Sequence, residues 1–281
     1  MIPAAFEYER AESVEEAIEL LGRYGEDAKL LAGGQSLLPF MKLRFARPSA
    51  LVDIARISEL SYVRDDGDAV ALGALLTHNQ ANRDVLLGDA CPLLSHAAGE
   101  VGDPQVRHMG TVGGSVAHAD PASDIPAVLV ALDADLVLRG ESGERIVAAR
   151  DFFRSAFETE LGPQEVLAEI RVPKRPGAGW SYVKFHPRAQ DWAIVGVAAL
   201  VERRDGGIGS ASVALTNMGA TPVRATAVEE ALTAGEDVAI AARRAAEGTS
   251  PVSDSFASAE YRRYLAPVLV RRALEEALSR S

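Results

Sequence analysis

Apolar positions along the 281-residue chain switch repeatedly between helical and alternating spacing. Val14, Ala17, Ile18, Leu21 and Tyr24 recur at helical intervals behind Ser13-Val-Glu-Glu16, a capping-box pattern in which Glu16 reaches back to the Ser13 N–H. This predicts an amphipathic helix over 14–24, stopped near Gly25. Short apolar runs at 29–32 and 51–54 read as strands closing a small α/β lobe. A second lobe follows, with strands at 62–63 and 69–73. Thr77 caps a helix to Arg83, and Pro92 opens a helix to Gly99. After the irregular segment 100–110, Asp124 is placed to cap a helix to about Leu132, with Pro126 tolerated in its first turn. Asp135–Arg139 and Arg145–Ala148 flank Gly140-Glu-Ser-Gly143 as a hairpin, and 166–172 is a strand stopped by Pro173. Lys174–Gly179 is the best linker in the chain. Beyond it, 180–185, 193–201 and 208–216 form an antiparallel meander. Helices then follow at 225–232, 238–246 and 258–279, the last broken or kinked by Pro267.

Two glycine pairs interrupt this pattern. In Lys29-Leu-Leu-Ala-Gly-Gly-Gln-Ser-Leu-Leu-Pro39 an apolar strand runs into Gly33 and Gly34, then Gln35 and Ser36. Taken alone, such a stretch is either a tight turn packed on the core or a turn whose N–H groups converge on an anion. The segment Thr111-Val-Gly-Gly-Ser115, followed by Asp120, Pro121, Ser123 and Asp124, repeats the chemistry. Two such turns suggest two backbone cradles around one extended, phosphate-bearing ligand. No G-x-G-x-x-G opens a helix, so a Rossmann-type dinucleotide site is not supported.

Composition narrows the classes. Lys and Arg number 29 against 40 Asp and Glu, a net charge of −11, which argues against a nucleic-acid partner. No apolar run approaches membrane-spanning length, and Met1–Arg10 lacks the charged-then-apolar form of a signal peptide, so a cytoplasmic location is expected. The single cysteine, Cys91, leaves no internal disulfide and no iron–sulfur ligand set. It reads as a buried small residue. His78, His96, His108, His118 and His186 show no metal-binding spacing, so no metal is expected, and no Ser-His-Asp arrangement points to a hydrolase.

Ala32–Pro39 and Thr111–Asp124 together resemble the paired flavin signatures of the FAD-binding medium subunits of molybdenum hydroxylases, the group of aerobic carbon monoxide dehydrogenase and the xanthine dehydrogenase family. The resemblance covers essentially the whole chain. It implies an α+β fold: a two-lobed FAD-binding domain of the PCMH (vanillyl-alcohol-oxidase-like) type over 1–176, with lobes of about 1–56 and 57–176. A C-terminal domain over 177–281 then carries a three-stranded antiparallel sheet with helices. By the same resemblance Lys29, Leu30, Leu31, Ala32, Gly33, Gly34, Gln35 and Ser36, with Thr111, Val112, Gly113, Gly114 and Ser115, line the pyrophosphate and ribityl region of FAD. Asp124 bonds a ribityl hydroxyl, or is simply a helix cap. Leu167 falls at an apolar contact, or in the core. Lys184 lies in a flavin-contacting stretch, or is an exposed strand lysine. Trp192 stands where relatives carry an aromatic ring shielding the flavin, or is a rim aromatic. No residue is implied as catalytic. The implied partners are an iron–sulfur small subunit and a molybdopterin large subunit, as a dimer of heterotrimers. A stand-alone flavin oxidoreductase and a non-catalytic flavin-binding scaffold are the alternatives.

Overall fold

The computed structural model describes residues 2–189 and 191–281. Its first sheet is parallel, in the order β1 (Glu7–Arg10), β3 (Ala50–Asp53), β2 (Ala28–Leu31). Helix α1 (Val14–Tyr24) connects β1 to β2. It buries Val14, Ala17, Leu20 and Leu21, and Ile18 and Tyr24 pack at the margin of the same cluster. The Ser13 hydroxyl accepts from the Glu16 N–H, as a cap requires, but the Glu16 carboxylate accepts from Glu12 N–H rather than from Ser13. Helix α2 (Leu37–Leu43), which the sequence pattern did not predict, returns the chain to β3.

The second lobe is built on five antiparallel strands in the order β4 (Val63–Asp65), β5 (Ala69–Gly73), β10 (Val166–Pro173), β6 (Asp135–Gly140), β7 (Gly143–Ala148). Between β5 and β6 lie α3 (His78–Arg83), α4 (Val85–Ala90), α5 (Pro92–Glu100), α6 (Pro104–Met109), α7 (Val112–His118) and α8 (Asp124–Ala131). Helix α6 occupies the stretch expected to be irregular; Asp103 caps it and Pro104 opens it. Between β7 and β10 the chain makes a turn of helix, α9 (Ala149–Phe152), and a small ribbon of β8 (Phe153–Ser155) and β9 (Glu158–Thr159). Helix α8 is buried along its whole length because it lies between this lobe and the last sheet.

That last sheet has the order β11 (Gly179–Phe185), β12 (Val195–Arg204), β13 (Gly207–Thr216), β14 (Val223–Arg224): the predicted meander, extended by a short fourth strand. Residues 195–201 are all buried, a continuous run that arises when both faces of a strand are covered. Tyr182, Ala198, Leu200 and Ala214 join the core around α8. Val195, Val197, Ala199, Val213 and Leu215 join a second core with α10 (Thr226–Thr233), α11 (Val238–Ala241) and α12 (Ala259–Ser279). Helix α12 runs on across Pro267, so of the expected break or kink the break does not occur. Leu265, Ala266, Leu269 and Val270 are buried on either side of it, so packing holds the helix across the missing N–H. No helix among the described residues is long and apolar enough to cross a membrane.

Candidate cofactor site

One cavity of about 990 Å³ opens between the first sheet, the second lobe and the start of the last sheet. All eight residues Lys29–Ser36 line it, as do Thr111, Gly113, Gly114, Ser115, Asp124, Leu167, Lys184 and Trp192. Val112 does not: it is fully buried in the core behind the site, its N–H bonded to the Leu76 carbonyl at 2.9 Å.

The two glycine segments differ in structure. The first is a true turn. Gly34 has φ of 70°, in the left-handed region that glycine enters without cost. The N–H groups of Gly33, Gly34, Gln35, Ser36 and Leu37 have no acceptor among the described residues, and all five residues face the cavity. Lys29 stands at the rim, outside every ion pair among the described residues.

The second segment is not a turn but the opening of α7, capped by Thr111. Neither Gly113 nor Gly114 has a positive φ. Their N–H groups are taken within the fold: Gly113 donates to the Ala74 carbonyl at 2.9 Å, Gly114 to the Thr111 hydroxyl at 3.0 Å, and Ser115 to the Thr111 carbonyl at 3.0 Å. Gly113 is needed for close approach, since a Cβ there would lie 2.5 Å from that of Ala74. The Ser115 and Ser123 hydroxyls bond one another at 2.6 Å. The expectation of two backbone cradles is therefore corrected: the first segment carries the free donors, and the second supplies a closely packed wall.

Asp124 opens α8, where Ser123 occupies the cap position, and its side chain makes no capping bond. Instead Oδ1 accepts from the Tyr182 hydroxyl at 2.5 Å and Oδ2 from Lys184 Nζ at 2.8 Å. Lys184 also donates to the Glu100 carbonyl at 3.0 Å, and its side chain is 3% exposed. The reading of Lys184 as an exposed strand lysine is thus overturned: Trp180, Tyr182 and Lys184 alternate onto the inward face of β11. Burial raises the Asp124 carboxyl pKa, and the Lys184 charge opposes that rise. Leu167 is both core and cavity wall, at a bulge between Leu167 and Glu169. Trp192 is 67% exposed at the rim.

Several lining residues escaped the sequence reading. The Arg107 guanidinium donates to the Val101 and Gly102 carbonyls, both at 3.0 Å, fixing the loop that brings Asp103 and Val106 to the cavity. His78, buried to 3% exposure, lines it with Nδ1 unpartnered among the described residues. The only advance signal was the position of His78 directly after the capping residue Thr77.

The profile described as the FAD binding domain in molybdopterin dehydrogenase matches residues 4–175, and that of the CO dehydrogenase flavoprotein C-terminal domain matches 180–277. The chain belongs to the FAD-binding family of molybdopterin dehydrogenases. Its cofactor is FAD. The carbon monoxide dehydrogenase medium chain of Hydrogenophaga pseudoflava is 41% identical, covering 100% of this chain and 99% of that one. The 6-hydroxypseudooxynicotine dehydrogenase complex subunit alpha of Paenarthrobacter nicotinovorans is 38% identical, covering 100% and 97%. Among solved structures, the Hydrogenophaga pseudoflava carbon monoxide dehydrogenase superposes with a TM-score of 0.97 at 44% identity, covering 100% of this chain and 99% of that one. Quinoline 2-oxidoreductase from Pseudomonas putida 86 gives 0.94 at 32%, covering 99% of each. The residues present fit FAD: a run of free N–H donors in a cavity that a lysine also lines suits a diphosphate, and the cavity has the size of a cofactor pocket.

Proposed function

We propose that this chain is the FAD-carrying, electron-transferring subunit of a heteromeric molybdenum hydroxylase. It takes electrons from iron–sulfur clusters of a small subunit, fed by a molybdopterin large subunit, and passes them to an external acceptor. The observation that carries this reading is the single cavity enclosed by both signature segments, in a chain whose one cysteine falls short of the four thiolates a [2Fe–2S] cluster takes. Bound FAD supplies the redox chemistry; this chain binds and orients it.

In this reading the chain divides at 176–177, and the site residues act as follows. The N–H groups of 33–37, with Lys29 and the Ser36 hydroxyl, hold the diphosphate. Leu30, Leu31, Ala32 and Gln35 flank it. Thr111, Gly113, Gly114 and Ser115 form the wall against which the cofactor lies, with Val112 anchoring that wall from the core. Asp124 accepts from a ribityl hydroxyl, Leu167 gives an apolar surface, and Lys184 and Trp192 stand at the flavin-ring end. The partner docks around Trp192, whose exposed ring at the cavity mouth is the kind of surface an interface covers. Relatives at 36–41% identity are chains of carbon monoxide, glyceraldehyde and caffeine dehydrogenases, which supports assigning substrate choice to a partner subunit. We place the complex in the cytoplasm, consistent with Cys91 as a buried free thiol.

The test is co-expression with an iron–sulfur small subunit and a molybdopterin large subunit of the same organism, which should assemble as a dimer of heterotrimers. Substrate should bleach the flavin absorbance of the complex and leave that of the isolated chain unchanged. Bleaching in the isolated chain would instead favour a stand-alone oxidoreductase.

A further inference from the structure

The two family-matched segments meet at Asp124. This residue belongs to the first; Tyr182 and Lys184, which hold its two oxygens, belong to the second. Asp124 and Lys184 both line the cavity, whereas Tyr182 does not touch it. The Tyr182 ring is buried among the α8 core, and its hydroxyl reaches only inward. Gly196, paired with Lys184 across the sheet, leaves room for that hydroxyl, since a Cβ there would stand 2.9 Å from Tyr182 Oη. Each cavity-facing partner keeps hydrogen-bonding capacity in reserve. Lys184 spends one N–H on Asp124 and one on the Glu100 carbonyl, leaving one free, and the Asp124 carboxylate retains unused lone pairs. The pair thus offers a ligand one donor and one acceptor, side by side.

We propose that Tyr182 is a positioning residue of the flavin site: its hydroxyl fixes the Asp124 carboxylate, and with it the Lys184 ammonium, in the donor–acceptor pair that faces the cofactor. The proposal rests on the reading of this cavity as the FAD site. Without the hydroxyl, Oδ1 of a 5%-exposed carboxylate has no protein donor, and only Lys184 favours its charge. The groups facing Asp124 are Lys184 and Tyr182 from β11, the Glu100 carboxylate from α5, which raises its pKa, and, beside Tyr182, the non-titrating Thr216 hydroxyl of β13. Burial and the adjacent Asp124 charge push the Tyr182 phenol pKa well up, so it remains a donor throughout the working range.

Sign follows from geometry. The ionised Asp124 is the form that accepts from the ligand and holds Lys184, so FAD affinity falls as pH drops through the Asp124 pKa. Removing the Tyr182 donor raises that pKa and moves the fall to higher pH. The experiment is FAD titration of the full-length apo chain across pH, for wild type, Tyr182→Phe and Asp124→Asn. In Tyr182→Phe the affinity near pH 8.5 should stay within about threefold of wild type. Its acid midpoint should rise by about one to two pH units, the shift expected from one lost charge-assisted hydrogen bond. Asp124→Asn should bind more weakly, with no acid limb over the pH range in which far-ultraviolet circular dichroism shows the chain folded. Within that range, an unchanged midpoint in Tyr182→Phe, a uniform loss at every pH, or an acid limb surviving in Asp124→Asn would overturn the role of Tyr182. Failure of the wild-type chain to bind FAD at any pH would overturn the flavin-site reading and this inference with it.

Discussion

Gly33 and Gly110 are packed backbone to backbone: a Cβ on Gly33 would lie 2.8 Å from the Gly110 Cα and 2.2 Å from the Met109 carbonyl oxygen. The first signature segment therefore rests directly on the residues leading into the second. Flexible side chains cannot relieve such a clash, because both neighbours are backbone. Gly33→Ala should separate the two segments and open the site while leaving the three cores intact. Overpacking of this kind costs about 1–3 kcal/mol, on the order of 10- to 100-fold in FAD affinity. Flavin-to-protein absorbance ratio and far-ultraviolet circular dichroism check it together; full flavin occupancy in the variant would show that the contact is unimportant.

The two signature segments should respond differently to valine. At Gly34 the φ of 70° is strained for any β-branched residue, so Gly34→Val distorts the free N–H run itself. At Gly114 the backbone is helical, and a Cβ would instead meet the Thr111 hydroxyl at 2.6 Å, dislodging the cap of α7. Gly34→Val should abolish FAD retention, at a stability cost of about 1–3 kcal/mol from the forced φ. Gly114→Val should lower stability by about 1–2 kcal/mol and weaken FAD only secondarily. FAD loss as complete in Gly114→Val as in Gly34→Val would contradict the distinction.

These positions also mark what the sequence could and could not convey. The runs that became β2, β5, β10 and β12 and the caps at Ser13 and Thr77 are local signals, fixed by neighbours a few residues away. The Gly-Gly pair at 113–114 looked like the pair at 33–34 because glycine reports permissiveness, not the conformation adopted. What decides is Thr111, whose hydroxyl caps the N–H three residues on, a signal present but outweighed by the glycines. The choice between a flavin-contacting and an exposed Lys184 cannot be made locally, although Lys184 alternates with Trp180 and Tyr182, because its buried partner Asp124 is 60 residues away. The wall formed by Val101–Val106 depends on Arg107 turning back onto its own loop and had no periodic signature at all.

Arg262, 1% exposed, holds the C-terminal helices to the strand that leaves the cavity rim. Its guanidinium donates to the Ile194 carbonyl, to the Val252 carbonyl at 3.2 Å, and to Asp254 at 2.5 Å. Arg262→Met keeps most of the volume but leaves two carbonyls without their donor. The variant should lose about 2–4 kcal/mol in chemical denaturation, with FAD affinity changed far less than by Gly33→Ala. A denaturation midpoint matching wild type would refute this.

His78 gives the chain a built-in acid sensitivity. Burial, with the Arg107 charge as a lesser cause, pushes its imidazole down from 6.5 to about 4. Below pH 6.5 the unfolded chain takes up a proton at this position that the folded chain refuses until about pH 4. The unfolded state binds more protons in that window, so stability falls as pH drops through it and is fully present above pH 6.5. Across the whole window the effect is roughly 3 kcal/mol, and between pH 7 and pH 5 on the order of 2 kcal/mol. His78→Gln carries no titrating group and should lack this component while sharing the acid sensitivity of every carboxylate. Urea denaturation of the FAD-free wild type and variant at pH 7 and pH 5 isolates it as a difference of differences. Wild type should lose about 2 kcal/mol more than His78→Gln; parallel losses would mean that the buried imidazole accepts its proton without penalty.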